Sequence, residues 1–307
     1  MALDLTLKLS ELLGTKDKSN KQFHRQTVTS NKTEVLQDES QTKVRGAVHN
    51  SALSTSDYNA FRTKSIGEKR DILRRWTRPT LQNNGQQALD RTVSLEKSLM
   101  KNPLKKTHFL EFMKNLFEVG HIKFAPQLPP NTESWHLPLF EVYQPQKKDK
   151  ICGVFDSPAK CDGVSLNDVL MSGPDLMNNL ISVLLRFRRE SVAIVADIEQ
   201  VFYSFLVDIE YRRFLRFIWH KDNKFDEPLV EYQIKVHVFG NSPSPAVATY
   251  GLRLTADEAE AQYGSDMREF VHRNFHVDDA LSFHSSAKEA IDLLQRTQKA
   301  LMEHGCV

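Results

Sequence analysis

Phe275-His276-Val277-Asp278-Asp279-Ala280-Leu281 is an apolar, strand-like run interrupted by two adjacent aspartates. Carboxylates set side by side repel each other and resist removal from water, so a cation ordinarily compensates them. Hard oxygen ligands of this kind suit a divalent ion, above all Mg²⁺. Well upstream, Val192-Ala193-Ile194-Val195-Ala196 reads as a β-strand ending in Asp197. A strand that ends in one aspartate, with a later hairpin that carries two, supplies the carboxylates two-metal phosphoryl transfer requires. Taken alone, the Asp278-Asp279 dipeptide reads more simply as a polar turn. The segments around it reverse that reading.

With 307 residues the chain has room for one large domain or two smaller ones, and ample apolar content for a core. The 41 Lys and Arg nearly balance the 39 Asp and Glu, so overall charge makes no case for a nucleic-acid partner. Cys152, Cys161 and Cys306 form no CxxC pair and point to a reducing compartment without disulfides. The histidines have neither HExxH nor finger spacing, which argues against zinc. Asp4, Lys8 and Glu11 break up Met1–Gly14, against a signal peptide, and no apolar stretch is long enough to cross a membrane. The expectation is a soluble intracellular protein of the cytoplasm, with the nucleus as the second compartment open to it.

The first hundred residues differ from the rest. Leu5, Leu9, Leu12 and Leu13 share a helical face, and Gly14 is a stop, so the spacing predicts a short helix. Residues 15–57 are rich in Lys, Ser, Thr, Asn and Gln and are expected to be disordered or a linker. Ser65-Ile66-Gly67-Glu68 has capping-box spacing and opens a helix bounded by Pro79. Its face of Lys69, Arg70, Arg74 and Arg75 is either a phosphate-binding surface or, more simply, a solvated one. A helix is expected over 89–100, closed by Asn102-Pro103, and another from Thr107 to Gly120 with a core stripe of Phe109, Phe112, Met113, Leu116 and Phe117. Residues 135–155 read as a β-hairpin with Lys147, Lys148 and Lys150 near its tip. Further expectations are a strand over 231–239, a turn at Gly240 to Pro245, a helix from there towards Tyr263, and a last helix over 287–302.

Together these segments resemble the reverse transcriptase of Pao/BEL long-terminal-repeat retrotransposons. The resemblance rests on Val154-Phe155-Asp156-Ser157, Gly163-Val164-Ser165-Leu166-Asn167-Asp168 and Ser172-Gly173-Pro174-Asp175-Leu176. It rests also on Ala196-Asp197-Ile198-Glu199-Gln200-Val201-Phe202-Tyr203, Val238-Phe239-Gly240-Asn241-Ser242-Pro243-Ser244-Pro245-Ala246 and the Val277-Asp278-Asp279 hairpin. It covers roughly residues 80–307; no family is recognisable for the stretch before it. It implies an α+β fold of fingers and palm without a thumb. A largely disordered or helical extension (1–80) would precede a helical lead-in with fingers (81–190) and a palm (191–307). The implied activity is RNA-directed DNA polymerisation on a primed RNA or DNA template, with deoxynucleoside triphosphates as substrates and no membrane partner. Asp197, Asp278 and Asp279 would hold two Mg²⁺ ions, with Mn²⁺ as a substitute. Phe202 stands where reverse transcriptases place an aromatic gate against the ribose 2′-hydroxyl; the alternative is an ordinary core residue. Gly240 would let backbone approach the nucleotide, and Lys150, with Lys148, would meet the triphosphate or template, unless both are simply solvated.

The chain departs from the family pattern in several places. Cys152 replaces a fingers arginine that grips the triphosphate, and a thiol has neither charge nor fork. Gly153 replaces a β-branched residue, His276 a tyrosine, and Ala280 a glycine. Nothing resembling a thumb is expected after the palm, and a partner chain is a candidate to supply one. These departures sustain a second reading, a decayed retrotransposon remnant that binds nucleic acid or protein without catalysis. A two-metal nuclease is a third reading, in which the aromatic gate has no role.

Overall fold

The computed structural model describes residues 5–11, 79–144, 147–186, 190 and 192–304, with backbone alone at 5–11, 144 and 147–150. The expectations for residues 15–57 and for the basic helix at 65–78 lie outside the described residues. In chain order the elements are β1 (Leu5–Glu11), α1 (Gly85–Met100), α2 (Pro103–Glu118), β2 (Ile122–Phe124), β3 (Leu139–Gln144) and β4 (Lys147–Phe155). There follow β5 (Lys160–Cys161), β6 (Val164–Ser165), α3 (Leu166–Val169), α4 (Leu180–Arg186), β7 (Val192–Ile198), β8 (Arg216–His220) and β9 (Leu229–Ile234). The chain continues through α5 (Ser244–Tyr263), α6 (Ser265–Asn274), β10 (Phe275–His276), β11 (Asp279–His284) and α7 (Ala287–His304). This is the expected α+β class, with every sheet antiparallel. The described residues fall into two compact units: 5–11, 174–204 and 245–304 form the first, and 79–173 with 205–244 the second. This partition is discontinuous, and residues 205–244 belong with the segment before 174.

The first unit is built on one sheet, in the order β1-β7-β11-β10. Val192, Ile194, Val195 and Ile198 suit β7 because branched side chains pack well on a pleated surface. Alternation then divides its faces: Ile194, Ala196 and Ile198 are buried, whereas Val195 and Asp197 are partly open. On the neighbouring β11, Ala280 is buried and Asp279 exposed. Both α6 and α7 pack against β11. Leu293, Leu294, Thr297, Ala300 and Leu301 of α7 lie buried at helical spacing, and each fully buried leucine is worth about 1.5–3 kcal/mol. The β10 edge lies beside α4, where Asn178 Nδ2 donates to the His272 and Phe275 carbonyls at 2.9 and 2.7 Å.

The second unit joins the sheet β2-β9-β8, the hairpin β3-β4 and the small ladder β5-β6 to α1 and α2. Its core is aromatic. Phe109 meets Trp219 at 5.1 Å between centroids, and Phe217 stacks on Tyr232 at 5.6 Å. The hairpin appears where the sequence places it. On β4, Ile151, Gly153 and Phe155 are buried, and Cys152 and Val154 occupy the opposite, more open face. A Cβ on Gly153 would fall 2.2 Å from Phe112 Cε1. The missing branched side chain is therefore the complement of a Phe ring on α2.

Several expectations need correction. Residues 5–11 form a strand rather than a helix. Leu5, Leu7 and Leu9 alternate as well as Leu5 and Leu9 repeat at helical spacing, and pairing along β7 decides between the two periods. Asn102-Pro103 opens a helix instead of only closing one: Asn102 Oδ1 accepts from Lys105 N at 3.1 Å, and proline occupies the first turn. The strand expected over 231–239 is β9, which ends at Ile234. All five residues of β8 are buried, which erases the alternation that would have announced it.

Candidate carboxylate site

The ladder between β7 and β11 aligns Asp279 with Asp197, Ala280 with Ala196 and Leu281 with Val195. Directly opposed residues on an antiparallel pair share a face, with Cβ atoms about 4.5–5.5 Å apart. Two carboxylates distant in sequence are thereby brought to adjacent positions on the open side of one sheet. Like charges so placed repel. Ile198 N donates to the Asp278 carbonyl at 3.0 Å, which ties the hairpin turn to the end of β7.

The turn itself is strained. His276 pairs with Asp279, which leaves Val277-Asp278 as a two-residue connection, and Val277 has φ of 60°. Positive φ at the first turn residue is a type II′ feature that normally calls for glycine. For a β-branched residue it is an outlier costing about 1–2 kcal/mol, of the kind that clusters at functional sites. Ala280 is fully buried on the helix-covered face.

Asp278 is half-buried, and its carboxyl is held above the ordinary carboxylate range. Burial is the chief cause; the neighbouring Asp279 charge adds to it, and a backbone hydrogen bond and His276 oppose it. His276 Nδ1 lies 2.9 Å from the Asn178 carbonyl. A carbonyl only accepts, so that nitrogen bears the proton. Phe202 lies in a 3-10 turn, Val201–Ser204, and is only 4% exposed. Most of its ring is therefore packing surface.

The donors at Asp197, Asp278 and Asp279 are all oxygen, repel one another and include one partly desolvated carboxyl, a chemistry that fits a hard divalent cation. Among the described residues, however, no three His, Cys, Asp or Glu side chains gather closely enough to hold a metal ion. Backbone register brings Asp197 and Asp279 together; Asp278 does not join them in a three-ligand cluster.

The remaining residues singled out in the sequence belong to the second unit. Gly240 has φ of 88°, the left-handed region that glycine enters without penalty, and its carbonyl accepts from Asn167 Nδ2 at 2.7 Å. Asn167 Oδ1 also accepts from Ser242 N at 3.0 Å, and Ser157 Oγ donates to Asn241 Oδ1, so the loop is pinned at successive residues. Ser244 Oγ donates to the Val238 carbonyl at 2.8 Å. Buried His237, just before this loop, has its pKa lowered to about 4 by desolvation. Lys148 and Lys150 lie in β4. Cys152 is opposite Val142, on the hairpin face away from Gly153.

The sequence reading missed Val277 and Asn178. A valine gives no signal for positive φ, and Asn178 acts through partners nearly a hundred residues away.

Among the described residues no helix is long and apolar enough to cross a membrane. No protein-family model matches the chain, and no curated protein matches it. Solved structures with some likeness include the foamy viral protease-reverse transcriptase dRH in complex with double-stranded DNA, at 16% identity and a TM-score of 0.48. That alignment covers 65% of this chain and 30% of the other. A second structure of the foamy viral protease-reverse transcriptase with double-stranded DNA gives 16% identity, a TM-score of 0.46, and coverage of 65% and 35%. The chain thus spans about a third of the length of the proteins it is similar to.

Proposed function

We propose that this chain is the fingers and palm portion of a reverse transcriptase of Pao/BEL retrotransposon type, an RNA-directed DNA polymerase. The observation that carries the reading is the register of Asp197 opposite Asp279, next to a hairpin whose turn holds Val277 at positive φ. Nothing in packing requires two carboxylates to face each other across a ladder, and both the repulsion and the strain cost stability. The joint resemblance of the motifs from Val154 to Asp279 supports the same conclusion. Asp197 and Asp279, with Asp278 beside them, would hold Mg²⁺. Two bound ions would activate the primer 3′-hydroxyl and neutralise the leaving pyrophosphate. In this reading Gly240 and the pinned loop around it line the nucleotide site. Lys150 and the open face of β3-β4 meet triphosphate or template.

The test is extension of a DNA primer on an RNA template by the purified chain with Mg²⁺ or Mn²⁺, beside an Asp197→Asn control. Metal-dependent extension lost in the control is the expected result. Equal extension by both proteins, with contaminating polymerases excluded, would contradict it.

A second reading, a remnant that binds nucleic acid without catalysis, is favoured by the lack of a three-ligand cluster among the described residues. Cys152 in place of arginine weighs the same way. Template binding without extension, in Mg²⁺ and in Mn²⁺, would select it.

A further inference from the structure

The N-terminal segment has no part in the chemistry just proposed, yet β1 runs along the strand that carries Asp197. The two pair continuously from Leu5 opposite Ile198 to Glu11 opposite Val192. Register places Thr6 opposite Asp197, Lys8 opposite Val195 and Ser10 opposite Ala193. Opposed residues share a face and successive residues alternate. Leu5, Leu7 and Leu9 therefore fall on the face of buried Ile198, Ala196 and Ile194, and Thr6, Lys8 and Ser10 on the face of Asp197 and Asp279. A row Thr6–Asp197–Asp279 crosses three strands. Lys8 holds the next register position on that face, diagonal to Asp197.

Two needs meet in this placement. An unpaired edge on β7 would invite another strand, and β1 closes it. The leucine alternation fixes the register, because a slip of one residue would turn the leucines onto the carboxylate face. The second need is charge: the opposed aspartates repel, and the docked strand sets a cationic residue at the next position on their face.

We propose that residues 5–11 are an edge strap beside the carboxylate row, docked in cis, with Lys8 as an internal counter-charge, so that strand docking and divalent cation binding oppose each other. The proposal rests on the reading of Asp197 and Asp279 as cation ligands. A cation arriving beside a fixed positive charge binds less tightly. By linkage it loosens the strand by the same factor by which the strand weakens it.

The experiment measures amide exchange of residues 5–11 in the full chain while Mg²⁺ is added, with cation binding followed separately by competition against Mn²⁺ in electron paramagnetic resonance. Without Mg²⁺ the strand is protected, independently of protein concentration. At saturating Mg²⁺ its protection falls about tenfold, within the usual 5–150-fold range for coupled sites. Lys8→Gln keeps the strand docked, tightens cation binding and removes most of the coupling; Ser10→Gln, opposite Ala193 and so further along the strand from Asp197, tested in parallel, changes neither. Protection that depends on concentration would assign the strand to a second copy and overturn docking in cis. Unprotected residues 5–11 in the absence of Mg²⁺ would overturn the strap altogether. Measured cation binding with unchanged protection would overturn this proposal alone. Failure of the wild-type chain to bind the cation would overturn both it and the carboxylate reading.

Discussion

Glu231 in the second unit and Asp278 in the first are carboxylates whose surroundings push them in opposite directions. Glu231 lies beside the His136 imidazole at 3.4 Å and takes charge-assisted hydrogen bonds from Arg216, including one from Nε at 2.9 Å. The imidazole first, and then the guanidinium, outweigh burial and hold its pKa down to about 2. Asp278 has no such cation among the causes that dominate it, and burial and the Asp279 charge raise its pKa. One unit neutralises its buried-side charge from within. The other sets Asp197 and Asp279 opposite each other on the open side of a sheet, beside a strained turn. The two regions therefore call for opposite responses to mutation and pH.

The largest expected effect is on the satisfied side. Arg216→Leu removes the guanidinium that serves both Glu231 and the Pro126 carbonyl, the latter at 3.1 Å. The variant should lose about 2–3 kcal/mol in urea unfolding. A loss under about 0.5 kcal/mol would show that the pair is only a surface contact. Acid acts on the same unit. The depressed Glu231 contributes stability that is present above its ordinary value of 4.5 and lost as pH falls towards about 2. His237, lowered from 6.5 to about 4, resists protonation when folded, so its unit loses stability as pH falls through that window. Urea midpoints read from buried Trp135 and Trp219 should therefore drop steadily from pH 7 to pH 3. A flat profile would contradict both assignments.

On the crowded side the signs reverse. The raised pKa of Asp278 means that the folded state prefers the protonated carboxyl, so a penalty is present at neutral pH and relieved as pH falls through that raised value. Asp278→Asn should stabilise the chain at pH 7 by about 0.5–2 kcal/mol while reducing any extension activity. Destabilisation would mean that the charge is already compensated. The smallest expected effect belongs to Val277→Gly, which relaxes a φ of 60° but gives up a half-buried side chain and rigidity in the unfolded chain. A net gain of about 0.5 kcal/mol is expected in thermal unfolding, and a loss above 1 kcal/mol would argue against strain at the turn.

What the sequence revealed and what it hid follow from the range of the interactions involved. The approach of Asp197 to Asp279 was foreseeable because an aspartate inside an apolar strand is costly wherever it occurs, and the β3-β4 hairpin because its alternation is local. The leucines at 5, 7 and 9 were ambiguous because two periods fit them, and only pairing with β7 separates the periods. Gly153 reads as a departure from a family until Phe112, from another element, is seen to fill its place. Arg216, Glu231 and His136 carried no signal as a group, because β8 shows no alternation and His136 reaches the pair from a segment far upstream.

The most direct test of the central claim is Mn²⁺ binding by electron paramagnetic resonance to the wild-type chain, Asp197→Asn, Asp279→Asn and the double variant. If Asp197 and Asp279 form one cation-binding face, each single variant weakens binding at least about tenfold, and the double variant loses little more than either, because contributions to one site are not additive. Wild-type affinity in both single variants would contradict the account.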